Sequence, residues 1–274
     1  VMTAFLNSCR DAGITPVENS LDCDAVVIWS ILWNGRMSKN KWTYEHYRLL
    51  GKPVLIIDVG AIEREVTWKI AVNNITSEGY YGHTDNLDWD RPKKLGVSLQ
   101  KNKLNDNILI AAQHKKSLQW EGMPTLEDWT VDLIHKIRKY SDRHIVVRYH
   151  PRCPFFIPSQ RFKMLEMNKV ISNCVLEFPR QIDSTYDAFD INYSYHAVVN
   201  HCSGPGINAV IAGSNVIVDE KSLAYPMSIK LKQIEKPPRK KNKEKWLVEI
   251  SHTEYTVDEI SEGLWLTRLK NALE

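Results

Sequence analysis

Three segments of this chain hold residue types and spacings suited to chemistry on a phosphate. Ser203-Gly204-Pro205-Gly206-Ile207-Asn208-Ala209 follows the strand-forming run AVVN (197–200) and opens a predicted helix. A helix N-terminus offers unsatisfied N–H groups and a partial positive charge, so it can receive an anion. Small residues there let the backbone approach a ligand closely. Ser203, Gly204, Gly206 and Asn208 are therefore candidate contacts to a pyrophosphate. A plain glycine-rich turn with Ser203 as N-cap would use the same residues without a ligand. Arg148-Tyr149-His150-Pro151-Arg152 ends another predicted strand. Arg148, His150 and Arg152 are suited to clamping a phosphate or a ribose, because guanidinium forks match oxyanions; a surface turn shaped by Pro151 is the alternative. The third segment, 112–117, places Gln113 and His114 just after a strand, where they could reach a phosphate or a base, or merely line a solvated loop.

A transfer to a hydroxyl also calls for a base. Asp58 closes the strand VLIID (54–58) and is placed for that role, although an Asp capping the following helix is an equal reading. Arg36, in a polar loop after the first strand, and Arg64, shortly after Asp58, are softer candidates for the acceptor side. Residues 230–245 carry eight Lys or Arg, among them Lys240 and Lys241. Such a run is usually a solvated loop, but it also suits nucleic-acid phosphates. The histidines show no metal-ligand spacing, so no protein-held metal is expected.

These residues need elements to hold them. The carboxyl-terminal half reads as five short apolar strands, at 108–112, 145–149, 175–178, 197–200 and 216–219. Helices are expected between them at 126–140, 161–167, 183–189 and 206–212. That alternation predicts an open parallel sheet covered on both faces, with ligands at the carboxyl ends of its strands. Along 126–140, Leu126, Trp129, Leu133, Ile137 and Tyr140 form the expected apolar face. The amino-terminal half reads as a helix at 3–12, a strand at 23–29, a helix at 42–50 closed by Gly51, and the strand at 54–58, a parallel βαβ step. A helix is expected over 63–73, a loop over 74–99, and two last helices over 246–251 and 257–270. The boundaries so drawn are 1–100, 101–235 and 236–274.

Composition narrows the class. With 274 residues, 43% of them hydrophobic, and a net charge of only +3, the chain is a folded protein rather than a highly basic nucleic-acid binder. Five cysteines without C-x-x-C spacing argue against a disulfide framework or zinc module and for a reducing, cytoplasmic setting. The longest apolar run, 25–33, is too short to span a bilayer, so no membrane partner is expected.

Blocks in a fixed order resemble a family of phage-encoded GT-B glycosyltransferases, several linked to sugar modification of hydroxymethylated pyrimidines in DNA. They are GKPVLIIDVGAIEREVTWKIAVNNI (51–75), ILIAAQHKKSLQWEGMP (108–124), DRHIVVRYHPRCP (142–154), HCSGPGINAVIAGSNVIV (201–218), DEKSLAYPM (219–227) and KEKWLVEISHTEYTVDEISEGLWLTRL (243–269). The R-x-H-P-R and S-x-P-G-x-x-A elements are also similar to the donor half of bacterial capsule sugar transferases. The resemblance implies an α/β protein of two Rossmann-like domains about a cleft, with the last helix crossing back to the first domain. It implies a nucleotide sugar, of UDP type, on the second domain, touched by Arg148, His150, Arg152, Ser203 and Gly206. The capsule enzymes often have Pro where this chain has Tyr149. Many GT-B enzymes have Glu near the place of Asn208, so here the ribose contact falls to an amide. Related sequences often have Glu where Asp58 stands. The acceptor implied is a hydroxymethylpyrimidine in DNA. A polysaccharide or lipid-linked sugar is the alternative, and a non-catalytic nucleic-acid binder on the same fold is another. No cofactor is implied beyond the donor, and a role for a divalent ion is left open.

Overall fold

The computed structural model describes residues 1–153, 172–182, 189–239 and 242–273. In chain order the elements are α1 (Met2–Asp11), β1 (Val26–Trp29), α2 (Asn40–Leu49), β2 (Val54–Val59), β3 (Trp68–Val72), α3 (Arg91–Lys94) and β4 (Asn105–Ala111). Then come α4 (Leu126–Arg138), β5 (Ile145–Arg148), β6 (Cys174–Glu177), β7 (Arg180–Gln181), β8 (Phe189–Asp190), β9 (Tyr195–Asn200) and α5 (Gly204–Ile211). β10 (Asn215–Ile217), α6 (Lys243–Ser251), β11 (Glu254–Tyr255), α7 (Val257–Ser261) and α8 (Leu264–Leu269) complete the chain. It divides into two compact units, Val1–Ser98 with Glu244–Glu274, and Leu99–Lys243. Both are α/β, and the C-terminal helices belong to the first unit, in agreement with the expected fold class.

The second unit is built on a five-stranded sheet in the order β10-β9-β4-β5-β6, parallel throughout. All five strands expected from the sequence are in it. Ile108, Ile110, Ile145, Val147, Ala197 and Val199 face α4 and form the main core with Leu126, Val131, Ile134 and Ile137. α4 begins with Thr125, whose hydroxyl accepts from Asp128 N, and carries acids in its first turn and bases in its last, matching the helix dipole. Its buried face is Leu126, Thr130, Val131, Ile134 and Ile137, turned from the expected stripe; Trp129 and Leu133 stand at its margin and Tyr140 is exposed. Thr130 enters this core because its hydroxyl donates to Leu126 O at 2.7 Å. The helices expected over 161–167 and 183–189 lie outside the described residues, except Phe189, which is in β8.

The first unit has a four-stranded sheet, β1-β2-β3-β11. β1 and β2 are parallel, as the βαβ reading requires, but β3 and β11 run antiparallel, so this sheet is mixed. The helix expected over 63–73 is therefore corrected: residues 68–72 are a strand. Ile62, Val66 and Ile70 have helical spacing, but Trp68-Lys69-Ile70-Ala71-Val72 pairs along the whole open edge of β2, and tertiary pairing overrides so short a pattern. The last expected helix is also broken. Gly263 adopts φ 74° and separates α7 from α8, while the strand β11 was not foreseen at all. Phe5 and Trp265 stack at 4.4 Å, and the Trp265 Nε1–H donates to Ser8 Oγ, locking α1 to α8. Arg91 grips the returning segment, donating to both oxygens of Glu259 and to the carbonyls of Ser251 and Glu254.

Candidate functional site

In the second unit the loops that leave β4, β5 and β9 meet at the carboxyl edge of the sheet. Asn200, the last residue of β9, sets the turn into α5. Its amide donates to Ala111 O at 2.8 Å and to Ser203 Oγ at 3.0 Å, and its carbonyl accepts from Ser203 N at 3.0 Å. Because Ser203 is held this way, its side chain does not cap α5. The start of α5 thus has no N-cap side chain accepting from it, which favours an anion there. Gln113 ties the β4 loop to the same turn: its Nε2 donates to Ser117 Oγ at 2.9 Å and its Oε1 accepts from Cys202 N at 3.3 Å.

Two imidazoles meet between the β4 and β5 loops. The rings of His114 and His150 meet edge to face at 5.1 Å. His114 Nδ1 accepts from Lys116 N, and His150 Nδ1 accepts from Arg152 N. In the neutral form each ring therefore carries its proton on Nε2. Burial pushes His114 down to about 4, helped by the charges of Lys116, Lys115 and Arg152. His114 is thus uncharged at neutral pH, and the charged groups holding it so are cations drawn from two loops.

Two expectations are corrected here. Arg148 does not open toward a ligand. Val147 and Tyr149 face α4, so Arg148 points to the opposite side and is buried. Its Nε donates to Glu177 at 2.8 Å, Nη1 to Asn192 O at 2.7 Å and Nη2 to the Tyr195 hydroxyl at 3.1 Å, between the rings of Tyr193 and Tyr195. Every nitrogen of the guanidinium is engaged within the fold. Gly206 likewise serves packing: a Cβ on it would meet Val218 Cγ1 at 3.0 Å and Ala224 Cβ at 3.3 Å. The structure sets His114 against His150 with the charge of Arg152 reaching His114, and joins the β4 loop to the turn before α5 through Gln113 and Cys202. Gln113 acts as a brace, and Asn208 lies one turn further along α5, half-buried.

In the first unit, Asp58 is the last residue but one of β2 and is half-buried. Its Oδ1 accepts from Val59 N at 2.8 Å and its Oδ2 from Ser30 Oγ at 3.1 Å. Burial raises its carboxyl above the ordinary value, while Val59 N–H, Lys69, Ser30 and Arg64 pull the other way. Arg64 is thus near enough for its charge to act on Asp58. Arg36 is exposed on a 3-10 turn, Gly35–Lys39, and none of the described contacts joins it to Asp58. Lys240 and Lys241 lie outside the described residues. Among the described residues no group of three or more His, Cys, Asp or Glu could hold a metal ion, and no helix is long and apolar enough to cross a membrane.

No protein family matches this sequence, and no curated protein does. Among solved structures, the chain is similar to Thermosulfurimonas dismutans KpsC, beta Kdo 2,7 transferase, at 11% identity and a TM-score of 0.41, over 98% of this chain and 96% of that one. A second is Thermosulfurimonas dismutans KpsC, beta Kdo 2,4 transferase, at 11% identity and a TM-score of 0.40, over 91% of this chain and 89% of that one. Likenesses of this size assign no activity.

Several residues of these sites are invisible to motif reading. Glu254, fully buried, takes hydrogen bonds from Ala61 N, Ile62 N and Thr67 Oγ1 and stands 3.9 Å from Lys69 Nζ. It thereby fixes the loop 60–67 that carries Arg64. Gly60 is obligatory in that loop, since a Cβ there would collide with Thr67 and the Glu254 carboxylate. Ser30, Lys69 and Asn200 are likewise ordinary in sequence. A polar residue at a strand end is the one signal that could have found Ser30 and Asn200.

Proposed function

We propose that this protein is a glycosyltransferase that binds a nucleotide sugar at the carboxyl edge of its second sheet. The observation that carries the reading is the meeting of loops at one sheet edge: His114 of the β4 loop packs edge to face on His150 of the β5 loop, Gln113 joins the β4 loop to the turn that opens α5, and Lys115, Lys116 and Arg152 stand on the same two loops. Cations gathered where a helix dipole also points favour a phosphate-bearing leaving group. In the transfer, the acceptor hydroxyl gives its proton to Asp58 and its oxygen attacks the anomeric carbon. The bond from that carbon to the donor phosphate breaks, and the nucleotide leaves with its new charge met by Arg152, the two lysines and the start of α5. Burial raises the Asp58 carboxyl above its ordinary value, which makes it a stronger base than an exposed carboxylate.

A sugar hydroxyl, on a polysaccharide or a lipid-linked glycan, is the acceptor class we favour. The R-x-H-P-R element that supplies Arg152 and the S-x-P-G-x-x-A element that opens α5 are those similar to capsule transferases. The second reading, a hydroxymethylpyrimidine in DNA, rests on the basic run, where Lys236 and Arg239 stand in the described part.

Thermal unfolding against UDP, CMP, GDP, TDP and ADP tests the donor site. A ligand at ~100 times its dissociation constant stabilises by about 2.7 kcal/mol. The expected result is a shift with one nucleotide that is lost in Arg152→Ala and His150→Ala. No shift with any nucleotide sinks the donor site. Glycan and hydroxymethylated-DNA acceptors, offered with the donor so found and read by mass spectrometry, then separate the two acceptor classes.

A further inference from the structure

Ser30 is the residue after β1, and it is held at φ 61°, in the left-handed region. For an L residue other than glycine that conformation costs roughly 1 kcal/mol, and such positions persist where the surroundings over-determine them. Three interactions do so here. Ser30 N donates to Ile57 O at 2.8 Å, continuing the β1–β2 ladder by one residue. Its hydroxyl accepts from Leu32 N at 3.1 Å and donates to Asp58 Oδ2 at 3.1 Å. The residue is 5% exposed, so water does not compete for the hydroxyl.

The consequence falls on Asp58. A carboxylate with one donor on each oxygen has a fixed plane, and Val59 N–H supplies the other donor, on Oδ1. The charged groups around it come from three further elements: Lys69, paired with Asp58 across the β2–β3 ladder; Arg64 on the loop 60–67; and Glu254 of β11, which stands against Lys69. Asp58 and Glu254 also act together on the Tyr81 hydroxyl, which is raised well above its ordinary value, first of all by burial. Lys69 is shared between the two carboxylates and so cannot by itself orient Asp58.

Resting on the reading of Asp58 as the base, we propose that Ser30 is its positioning residue: the strained backbone aims the hydroxyl so that the carboxylate presents one fixed lone pair to the acceptor. A glycine at this left-handed position would relieve the strain but supply no hydroxyl to Asp58.

Two variants separate hydroxyl from backbone. Ser30→Ala removes the hydroxyl and keeps the strain; Ser30→Gly removes both, and folds even if the alanine variant does not. The readouts are the 13C titration of the Asp58 carboxyl, assigned with Asp58→Asn, and the acidic limb of the kcat/KM profile. In both variants the Asp58 titration should move up by roughly one pH unit, the loss of one hydrogen bond to the charged form, and the acidic limb should move with it. Ser30→Gly should melt no lower than Ser30→Ala. An unmoved titration in either variant overturns the proposal, since the hydroxyl would then serve only Leu32 N. If Asp58→Asn keeps full transfer activity while both Ser30 variants shift the titration, the base assignment falls and the hold of Ser30 on the carboxyl stands.

Discussion

Lowering the pH from 7 to 5 should destabilise the second unit through His114. Its native value is about 4 against an ordinary 6.5, because burial and the cations around it resist a further charge. Between those values the unfolded chain binds a proton that the native state refuses, so stability falls as pH drops through 6.5 and stops falling near 4. Integrating over that window, with about 1.4 kcal/mol for each pH unit of displacement, gives a loss of roughly 2 kcal/mol by pH 5. For a body of this size that is about 4–8 °C in melting temperature. The comparison variant is His114→Asn, whose carboxamide oxygen can still accept from Lys116 N in an Asx turn but does not titrate. Melts of both proteins at pH 7, 6 and 5, in a non-phosphate buffer, give the answer as a difference of differences, which cancels the other histidines. Wild type should lose several degrees more than the variant. Parallel curves for the two proteins would refute the claim that His114 is held neutral by its surroundings.

Other consequences can be read from the same geometry. Glu254→Ala leaves Ala61 N, Ile62 N, Thr67 Oγ1 and the Lys69 ammonium without their acceptor, which should cost ~3–5 kcal/mol in urea denaturation; a loss under about 1 kcal/mol would mean the loop 60–67 is held by other means. Gly206→Ala should lower stability by ~1–3 kcal/mol in the absence of any nucleotide, because its Cβ presses on Val218 and Ala224; an unchanged melt with weakened nucleotide binding would return Gly206 to the ligand. Asp58 is raised, so its native state holds the proton more tightly than the unfolded chain and stability declines as pH climbs from 3.8 through the native value. Asp58→Asn should therefore gain on wild type in melting temperature as the pH rises above 3.8, while losing transfer, and a difference that does not change with pH would contradict the assignment.

The second sheet was legible because its central strands are buried on both faces. ILIA, IVVR and AVVN, in β4, β5 and β9, are nearly continuous apolar runs, and a parallel sheet clad in helices is what needs those. The first sheet was half legible. β1 and β2 have the same signature, but β3 carries an apolar spacing compatible with a helix, and β11 is two residues whose partners, Lys69 and Trp68, lie far away in sequence. Local pattern cannot report a pairing of that separation. At the site, the sequence showed which loops gather polar residues and not which way each side chain turns. Arg148 has the right type and place for a phosphate clamp, yet strand alternation sends it to the face where Tyr193 and Tyr195 wait. Gly206 looked like room for a ligand and is room for Ala224. Ser30 sits in the apolar run IWSILW, where nothing announces a left-handed backbone.

The first unit is discontinuous, and this sets an order of events during synthesis. Residues 99–243 form a contiguous body whose sheet is complete once β10 has left the ribosome. The unit that begins the chain must wait. Until Glu254 is made, the amides of Ala61 and Ile62 lack their acceptor, β3 lacks its outer neighbour, and Phe5 lacks the ring it stacks on. Domains usually fold in the order they are translated; here the part made first is finished last. The earliest strands stay open-edged through the production of the whole second unit, the interval in which this chain is most exposed to mispairing.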